Sequence, residues 1–368
     1  MRILALTTLF LLTLFGTSLF GTPQAKAEVV NFYAWGGSPQ VNSYLRWAQQ
    51  ELKAEGIEFR HNKVADVSEV VKQIISGHSN ADIIWINGEN FHALKDANAL
   101  LPIVDEINAT QHINPELNWQ TDFGEPVNGL EVPWGVGQFN LIARPGVFGT
   151  ETVSAEELMR AAQEYKGRIS YPKPPEFHGT TFLKSLLLSL YPERRSVFQQ
   201  PVQSINAQEL TQPLWDYLGK LHPLLWQQGD NFPSSAGEQV SYLANGQLMI
   251  AVSFNPNDDQ TLVNQGRLPA GVKRHTLSDH AITNTHYLAI PKTAKSVEKA
   301  KQIIEFMLSS EAQLRKADTN RWGDPSVLKP ELLHTKESSR QTELLPATDD
   351  FHVSWQSYLE QEWSARYQ

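Results

Sequence analysis

Residues 29–52 read VVNFYAWGGSPQVNSYLRWAQQEL, and this stretch decides the fold. Its first part, 29–34, is rich in β-branched and aromatic residues and predicts a strand. After the Trp-Gly-Gly turn at 35–37, Ser38 is a good helix N-cap and Pro39 occupies the first helical position. Apolar residues then recur at helical spacing, so the stretch predicts a strand that enters a helix through one tight turn.

The same order of elements continues downstream. Residues 57–59 predict a second strand, 67–75 form an apolar helical face, and 82–86 form a continuous apolar strand of the kind buried on both faces. Another apolar helical pattern follows. This βαβα order predicts a mainly parallel sheet with helices on both sides.

A second series of elements predicts a second lobe. The segment 138–143 predicts a strand that leads into this lobe, and 287–290 predicts a strand that returns the chain to the first lobe. Between them lie two strand-like segments and one helical pattern, at 169–171, 248–254 and 182–191. The predicted fold is therefore α/β with two lobes, each a mainly parallel sheet flanked by helices, and with a ligand cleft between the lobes.

The N-terminus has the pattern of a secretory signal peptide. Arg2 precedes an apolar run at 3–15, and Ala25-Lys26-Ala27 is an A-x-A cleavage site. This predicts removal after about Ala27 and a periplasmic location. The predicted divisions of the chain are a signal peptide at 1–27, a first lobe at 28–138 plus 283–320, a second lobe at 139–282, and a C-terminal helical segment at 321–368 that packs on the lobes.

Composition and motifs exclude several functions. The chain contains no cysteine, which excludes thiolate metal sites and cysteine nucleophiles, and its net charge of −9 argues against nucleic acid as a partner. The sequence has no Gly-x-Ser-x-Gly, His-Glu-x-x-His or Walker motif. Three histidines at 275, 280 and 286 match no metal-ligand spacing, and Asp258-Asp259 is interpreted as the solvated first turn of a helix. We predict no enzyme activity, metal or cofactor.

The candidate binding residues lie in loops that follow strands. In open α/β sheets ligands bind at the carboxyl ends of the strands, where loops meet helix N-termini. Glycine permits a close approach of backbone to a ligand, and aromatic rings supply flat surfaces for stacking. The predicted loop residues are Trp35, Gly36, Gly37 and Ser38; Asn87, Gly88, Glu89 and Asn90; Tyr171, His178, Gly179 and Thr180; and Ser253 and Asn255.

Each of these loops also has a purely structural explanation. Trp35 caps a core equally well, Asn87-Gly88 is compatible with a simple turn, and Asn90 with a helix cap. Near the C-terminus, Trp322 either reaches the cleft or belongs to a tail that buttresses one lobe. The combination of such loops on two lobes favours a binding cleft.

Five stretches resemble the periplasmic solute-binding proteins of ABC importers, and within them the YnjB-like subgroup. They are NFYAWGGSPQVNSYLRW (31–47), ADIIWINGENF (81–91), LEVPWGVGQFNLI (130–142), YPKPPEFHGTTFLKSL (171–186) and YLAIPKTAKSVEKAKQIIEFML (287–308). The resemblance implies a two-lobe fold of type II, a monomer, and capture of a small solute without catalysis. It also implies that the loaded protein docks on an inner-membrane permease, whose ATPase drives transport.

The resemblance leaves the solute open. Members of this architecture bind thiamine, polyamines, ferric iron, sulfate or molybdate, and sugars. A cationic, partly aromatic solute such as thiamine suits Trp35, Trp134 and Tyr171, with Glu89 as the counter-charge. A secreted hydrolase that uses two cleft carboxylates and a sensor module that is read by a receptor are the competing hypotheses.

Overall fold

The computed structural model describes residues 29–64, 66–333 and 344–368. The predicted signal peptide at 1–27 lies outside the described residues. The strands are β1 (Val30–Trp35), β2 (Phe59–Val64), β3 (Ile83–Ile86), β4 (Thr121–Asp122), β5 (Glu125–Pro126), β6 (Val132–Gln138), β7 (Asn140–Ala143), β8 (Ile250–Ser253), β9 (Lys273–His275), β10 (Ala281–Ala289) and β11 (Ala347–Asp349). The α-helices are α1 (Pro39–Ala54), α2 (Val67–Ile75), α3 (Gly88–Asp96), α4 (Ala155–Glu164), α5 (Phe177–Leu190), α6 (Ala207–Leu221), α7 (Ala236–Ala244), α8 (Asp258–Asn264), α9 (Val297–Met307), α10 (Ser310–Ala317) and α11 (Ser354–Tyr367).

The first sheet is mixed. β1 pairs in parallel with β2 on one side and with β3 on the other. β10 then pairs antiparallel with β3 and with β6, and in parallel with the short β11. The carboxyl ends of the three parallel strands therefore meet at one edge, where the loops after them come together.

The second sheet differs from the predicted mainly parallel one. β7 is its central strand and pairs antiparallel with both β8 and β9. Only Phe139 separates β6 from β7, so the chain passes from the first sheet into the second without a crossover helix, which parallel neighbours would require. The predicted strand at 169–171 is not formed. The carbonyls of Ile169 and Ser170 accept instead from the backbone N–H of Trp226 and from the Gln239 side chain, at 2.8 and 2.7 Å.

Buried side chains form separate cores around the two sheets. The first core joins β1, β3 and β6 to α1 and α9, and the second joins β7 and β8 to α5 and α6. The C-terminal segment contributes to both, because Trp322 and Val327 pack in the first core whereas Phe351, Trp355 and Trp363 pack in the second. Every helix among the described residues is too short or too polar to cross a bilayer.

Helix α11 is an integral part of the second core. Trp363 is 1% exposed, its indole N–H donates to the Tyr171 hydroxyl at 2.8 Å, and its ring meets Phe232 edge-on. We expect Trp363→Ala to lower the free energy of unfolding by about 3–5 kcal/mol, because it leaves a large cavity and removes a buried hydrogen bond to the Tyr171 hydroxyl. The measurement is urea denaturation followed by far-UV circular dichroism.

Gln361→Ala is the matched control for this prediction. Gln361 lies on the exposed side of the same helix, so its replacement should change stability by no more than about 0.5 kcal/mol. Equal effects of the two substitutions would show that α11 is not packed as described.

Candidate functional site

A cavity of about 910 Å³ lies between the two sheets. One side of its wall is formed by the first sheet, including β10, and by the loops after β1, β2 and β3. The other side is formed by α5, α7, β8 and α8, and the segment after α10 completes the wall. We call this cavity the cleft. The lining residues used below are Trp35, Gly37, Ser38, Asp66, Trp85, Asn87, Asn90, Glu176, Phe177, His178, Ser253, Phe254, Asn255, Asp258, Arg267, Asn284, His286, Trp322 and Asp324.

The Trp-Gly-Gly turn brings an indole to the cleft. Trp35 is 43% exposed although it ends a buried strand. A Cβ on Gly37 would lie 2.7 Å from the Trp35 ring, and a Cβ on Gly36 would lie 2.6 Å from the Lys63 Cβ. The first glycine therefore lets the loop pass over β2, and the second lets the indole fold back on its own turn. The loop then enters α1, where the predicted N-cap Ser38 accepts from the Val41 N–H.

The turn after β3 is tied together by its own side chains. Asn87 is the N-cap residue of α3, and the Asn90 amide donates to its side-chain oxygen at 2.9 Å. Gly88 faces away from the cleft, because a Cβ there would lie 1.8 Å from the Phe123 ring. Glu89 belongs to α3, but its side chain lies outside the described part of the structure.

The second-lobe wall is aromatic and carries two carboxylates. The Phe254 ring stacks on Phe177 at 4.9 Å and meets His178 edge-on at 5.6 Å. Glu176 is engaged locally, since its carboxylate contacts His178 Nδ1 at 2.9 Å and accepts from the Gly179 N–H at 3.0 Å. This wall therefore offers a flat apolar surface beside polar groups.

Asp258 is the second carboxylate of this wall. It is half-buried, and one of its carboxylate oxygens accepts from the Ser253 hydroxyl. Burial raises the pKa of the Asp258 carboxyl to about 6, although the hydrogen bond from Ser253 and the nearby His178 and Arg267 favour the charged form. Asp258 therefore changes charge just below neutral pH.

The floor of the cleft is a cluster of tryptophans over a buried ion pair. Trp85 lies 6.0 Å from Trp322 and edge-on to His286 at 5.4 Å between ring centroids. His286 is 3.4 Å from the Asp324 carboxylate, which also accepts from the ammonium of the fully buried Lys316.

The charges around Asp324 compensate one another. Burial alone would raise the pKa of Asp324, but the charges of Lys316 and His286 outweigh it and hold this pKa below its usual range. The floor therefore keeps an ionised carboxylate without needing a ligand.

The structure brings most of the predicted loop residues to the cleft. Those on its wall are Trp35, Gly37, Ser38, Asn87, Asn90, His178, Ser253, Asn255 and Trp322. Those off the wall are Gly36, Gly88, Trp134, Tyr171, Gly179 and Thr180.

Four of the residues off the wall are buried in packing contacts. Trp134 is fully buried behind the floor, edge-on to Trp85 at 5.0 Å. Tyr171 stacks on Phe182 in the second core, and Thr180 donates to Glu360 of α11. Gly179 is pressed against the Pro172 carbonyl, 2.2 Å from where its Cβ would be. Of these four residues, Trp134 supports the cleft wall from behind through its contact with Trp85.

Several cleft residues were not predicted. Trp85 lies in a strand that is apolar throughout, and the sequence alone does not show which of its faces opens on the cleft. The position of Asp258 in the first turn of α8 was predicted but its burial was not. Asn284 and His286 of β10 also line the cleft. For Asn284 and His286, the one available signal in the sequence is the alternation of side chains along a strand.

Comparison with known proteins identifies the class. Residues 47–336 match the sequence profile of a family described as bacterial extracellular solute-binding protein. The chain is also 36% identical to Protein YnjB of Escherichia coli (strain K12) over 358 residues, which cover 94% of this chain and 92% of that protein. The chain belongs to the bacterial extracellular solute-binding proteins, as the sequence predicted.

Solved structures confirm the two-lobe fold. The spermidine/putrescine substrate-binding protein PotD of Streptococcus pneumoniae, in complex with calcium and HEPES, superposes with a TM-score of 0.66 at 21% identity, covering 93% of this chain and all of that one. A putative extracellular solute-binding protein of Bordetella parapertussis gives 0.67 at 14% identity, covering 92% and 99%. The fructose-6-phosphate-bound AfuA of Actinobacillus pleuropneumoniae gives 0.63 at 13% identity, covering 92% and 98%. At these identities the likeness concerns the fold alone.

The ion pair under the floor leads to a stability prediction. Lys316→Met leaves Asp324 buried with only His286 beside it, so we expect a loss of about 3–5 kcal/mol in the free energy of unfolding. Lys220→Met, at an exposed position of α6, is the control and should be close to neutral. Urea denaturation of both variants at pH 7 checks this. If Lys316→Met were as stable as Lys220→Met, Asp324 would not depend on Lys316.

Proposed function

We propose that this protein is the solute-capturing component of an ABC importer. In this proposal it is exported, loses its signal peptide after about Ala27, and works as a monomer in the periplasm. A solute enters the cleft, and the loaded protein docks on a membrane permease that is driven by an ATPase. The family and a cleft walled by two lobes support this role. We propose the lobe boundaries given under Sequence analysis as the two moving parts.

The solute that the cleft suits best is an organic cation with a flat ring, such as thiamine. The observation that carries this proposal is Asp258, a half-buried carboxylate in a cavity lined by Trp35, Trp85, Phe254 and Trp322. A carboxylate deprived of water gains most from a cation, and aromatic faces attract cations as well as flat rings. Asp66, an exposed residue of the wall, adds a further negative charge.

Closure of the lobes follows from the placement of these groups. Trp35 belongs to one lobe and Asp258 to the other, so one solute contacts both only when the lobes are close together. A ligand must favour the closed state by about ten-thousand-fold to convert a population that is almost fully open. A ligand gains this preference for the closed state when it contacts aromatic rings on both walls and forms a desolvated ion pair.

The proposal predicts thiamine binding that depends on Asp258 and on pH. Isothermal titration calorimetry should detect binding at pH 7.5, weakened by about tenfold or more in Asp258→Asn, because one desolvated ion pair is lost. Binding should also weaken as the pH falls through about 6, since a protonated Asp258 no longer offers a charge to the cation.

Asp259→Asn is the matched control, because Asp259 is the next residue but lies off the cleft wall and accepts from the Arg274 N–H. It should bind thiamine as the unmodified protein does. Tight binding of a sugar or an oxyanion without any response to thiamine would refute the cationic solute. Chemical conversion of the bound solute would favour the hydrolase hypothesis instead.

A further inference from the structure

A second cavity lies on the opposite side of strand β10 from the cleft. We call it the hinge cavity. Its volume is about 530 Å³, and its wall includes Asp122, Phe123, Thr283, Thr285, Tyr287 and Asp350. Asn284 and His286 line the cleft, whereas their neighbours Thr283, Thr285 and Tyr287 line the hinge cavity. Because successive residues of a strand face opposite sides, the backbone of β10 separates the two spaces.

The hinge cavity has more buried carboxyl groups on and beside its wall than buried cations to compensate them. Asp122 and Asp350 on its wall are 4% and 2% exposed, and one carboxylate oxygen of each has no hydrogen-bond partner. Glu131, which interacts electrostatically with Asp122, is fully buried and neither of its oxygens has a partner. The buried Lys184 compensates only one of these groups, through a 2.9 Å contact with Asp350.

This arrangement is costly unless another positive charge is present. Burial of an unpaired carboxylate costs several kcal/mol, and such a group either takes up a proton or binds a cation. Burial, together with the charge of Asp350, raises the pKa of Asp122 to about 8. Glu131, Tyr287, Lys95 and Asp349 also interact electrostatically with this cluster. Asp349 and Glu116 are further acidic residues on the cavity wall.

The surroundings suit an ammonium group. The Lys184 ammonium already lies between the Asp350 carboxylate and the face of the Phe123 ring, 5.4 Å from the ring centroid. The Asp122 carboxylate and the Phe123 ring line the same cavity. No group of three or more His, Cys, Asp or Glu residues in the described ranges is arranged to hold a metal ion. The volume is within the range of small-molecule sites.

We propose that the hinge cavity is a second binding site, which takes a small organic ammonium ion at Asp122. The ion pairs with the free oxygen of Asp122 and contacts the Phe123 ring. The occupant contacts both lobes, since Asp122 and Phe123 belong to the β4–β5 hairpin beside the first sheet and Asp350 leads into α11 of the second core. Occupancy of the hinge cavity therefore influences how the lobes move about β10.

Isothermal titration calorimetry with n-butylammonium tests this proposal, using the full mature protein and its Asp122→Asn and Asp258→Asn variants. Asp122→Asn should weaken binding by about tenfold or more, and Asp258→Asn, in the cleft, should leave it unchanged. Since a proton must leave Asp122, binding at pH 8.5 should be about twentyfold tighter than at pH 6.5, with proton release that shows in buffers of different ionisation enthalpy. The neutral analogue n-butanol should not bind.

Folding of the variant is checked independently. Asp122→Asn removes a desolvated carboxyl, so its thermal midpoint at pH 7 should equal or exceed that of the unmodified protein. The proposal is overturned if n-butylammonium fails to bind, if Asp122→Asn binds it equally well, or if binding is lost in Asp258→Asn alone. Displacement by Ca²⁺ or Na⁺ at lower concentration would assign the cavity to a metal instead. Thiamine binding to Asp122→Asn reports on the cleft separately, so failure of one proposal is distinguishable from failure of the other.

Discussion

The structure depends on one strand that both cavities share. β10 pairs with β3, β6 and β11, so it stands at the point where the chain crosses between the cores. Its alternation sends His286 to the cleft and Thr285 to the hinge cavity. Since this period of two is fixed by strand geometry, a shift of register by one residue would exchange the two walls completely. The register of β10 therefore determines the chemistry of both spaces.

Three carboxylates that are wholly or partly buried differ in how far neighbouring groups of the protein stabilise their charged form. Asp324 is compensated within the protein by Lys316 and His286, and its pKa is low. Asp258 accepts from one hydroxyl and has His178 and Arg267 nearby, and burial raises its pKa to about 6. Asp122 has no such cation, and burial raises its pKa to about 8. The less a carboxylate is compensated by its own chain, the more it gains from a bound cation. This order is the physical basis for assigning a structural role to Asp324 and ligand roles to the other two.

The sequence predicts local structure well where local chemistry decides it. Helix α1 begins directly after Ser38 and α2 spans 67–75 as predicted, because caps and apolar spacing act within a few residues. Helix α5 begins at Phe177, before the predicted 182, since the Glu176 side chain caps it by accepting from the Gly179 N–H. The cleft loops after β1 and β3 are predicted from their place at strand ends together with their glycines and their aromatic or carboxamide side chains. The burial of Trp134 and the half-buried position of Trp85 on the cleft wall were not, because they depend on contacts far apart in the chain.

The C-terminal segment explains why the lobes and the cleft cannot be treated as independent parts. Trp322 and Asp324 form the floor of the cleft and pack in or beside the first core. Some thirty residues later, Trp355 and Trp363 fill the second core from α11. Between them, the backbone N–H and carbonyl of Leu345 bond the Gln138 amide at the end of β6, both at 2.9 Å. Leu345 and Gln138 both lie on the wall of the hinge cavity. A rotation of one lobe must therefore either distort this pair of hydrogen bonds or move both residues together. The described parts of this segment, on either side of 334–343, thus contact the floor of the cleft, the wall of the hinge cavity and the second core.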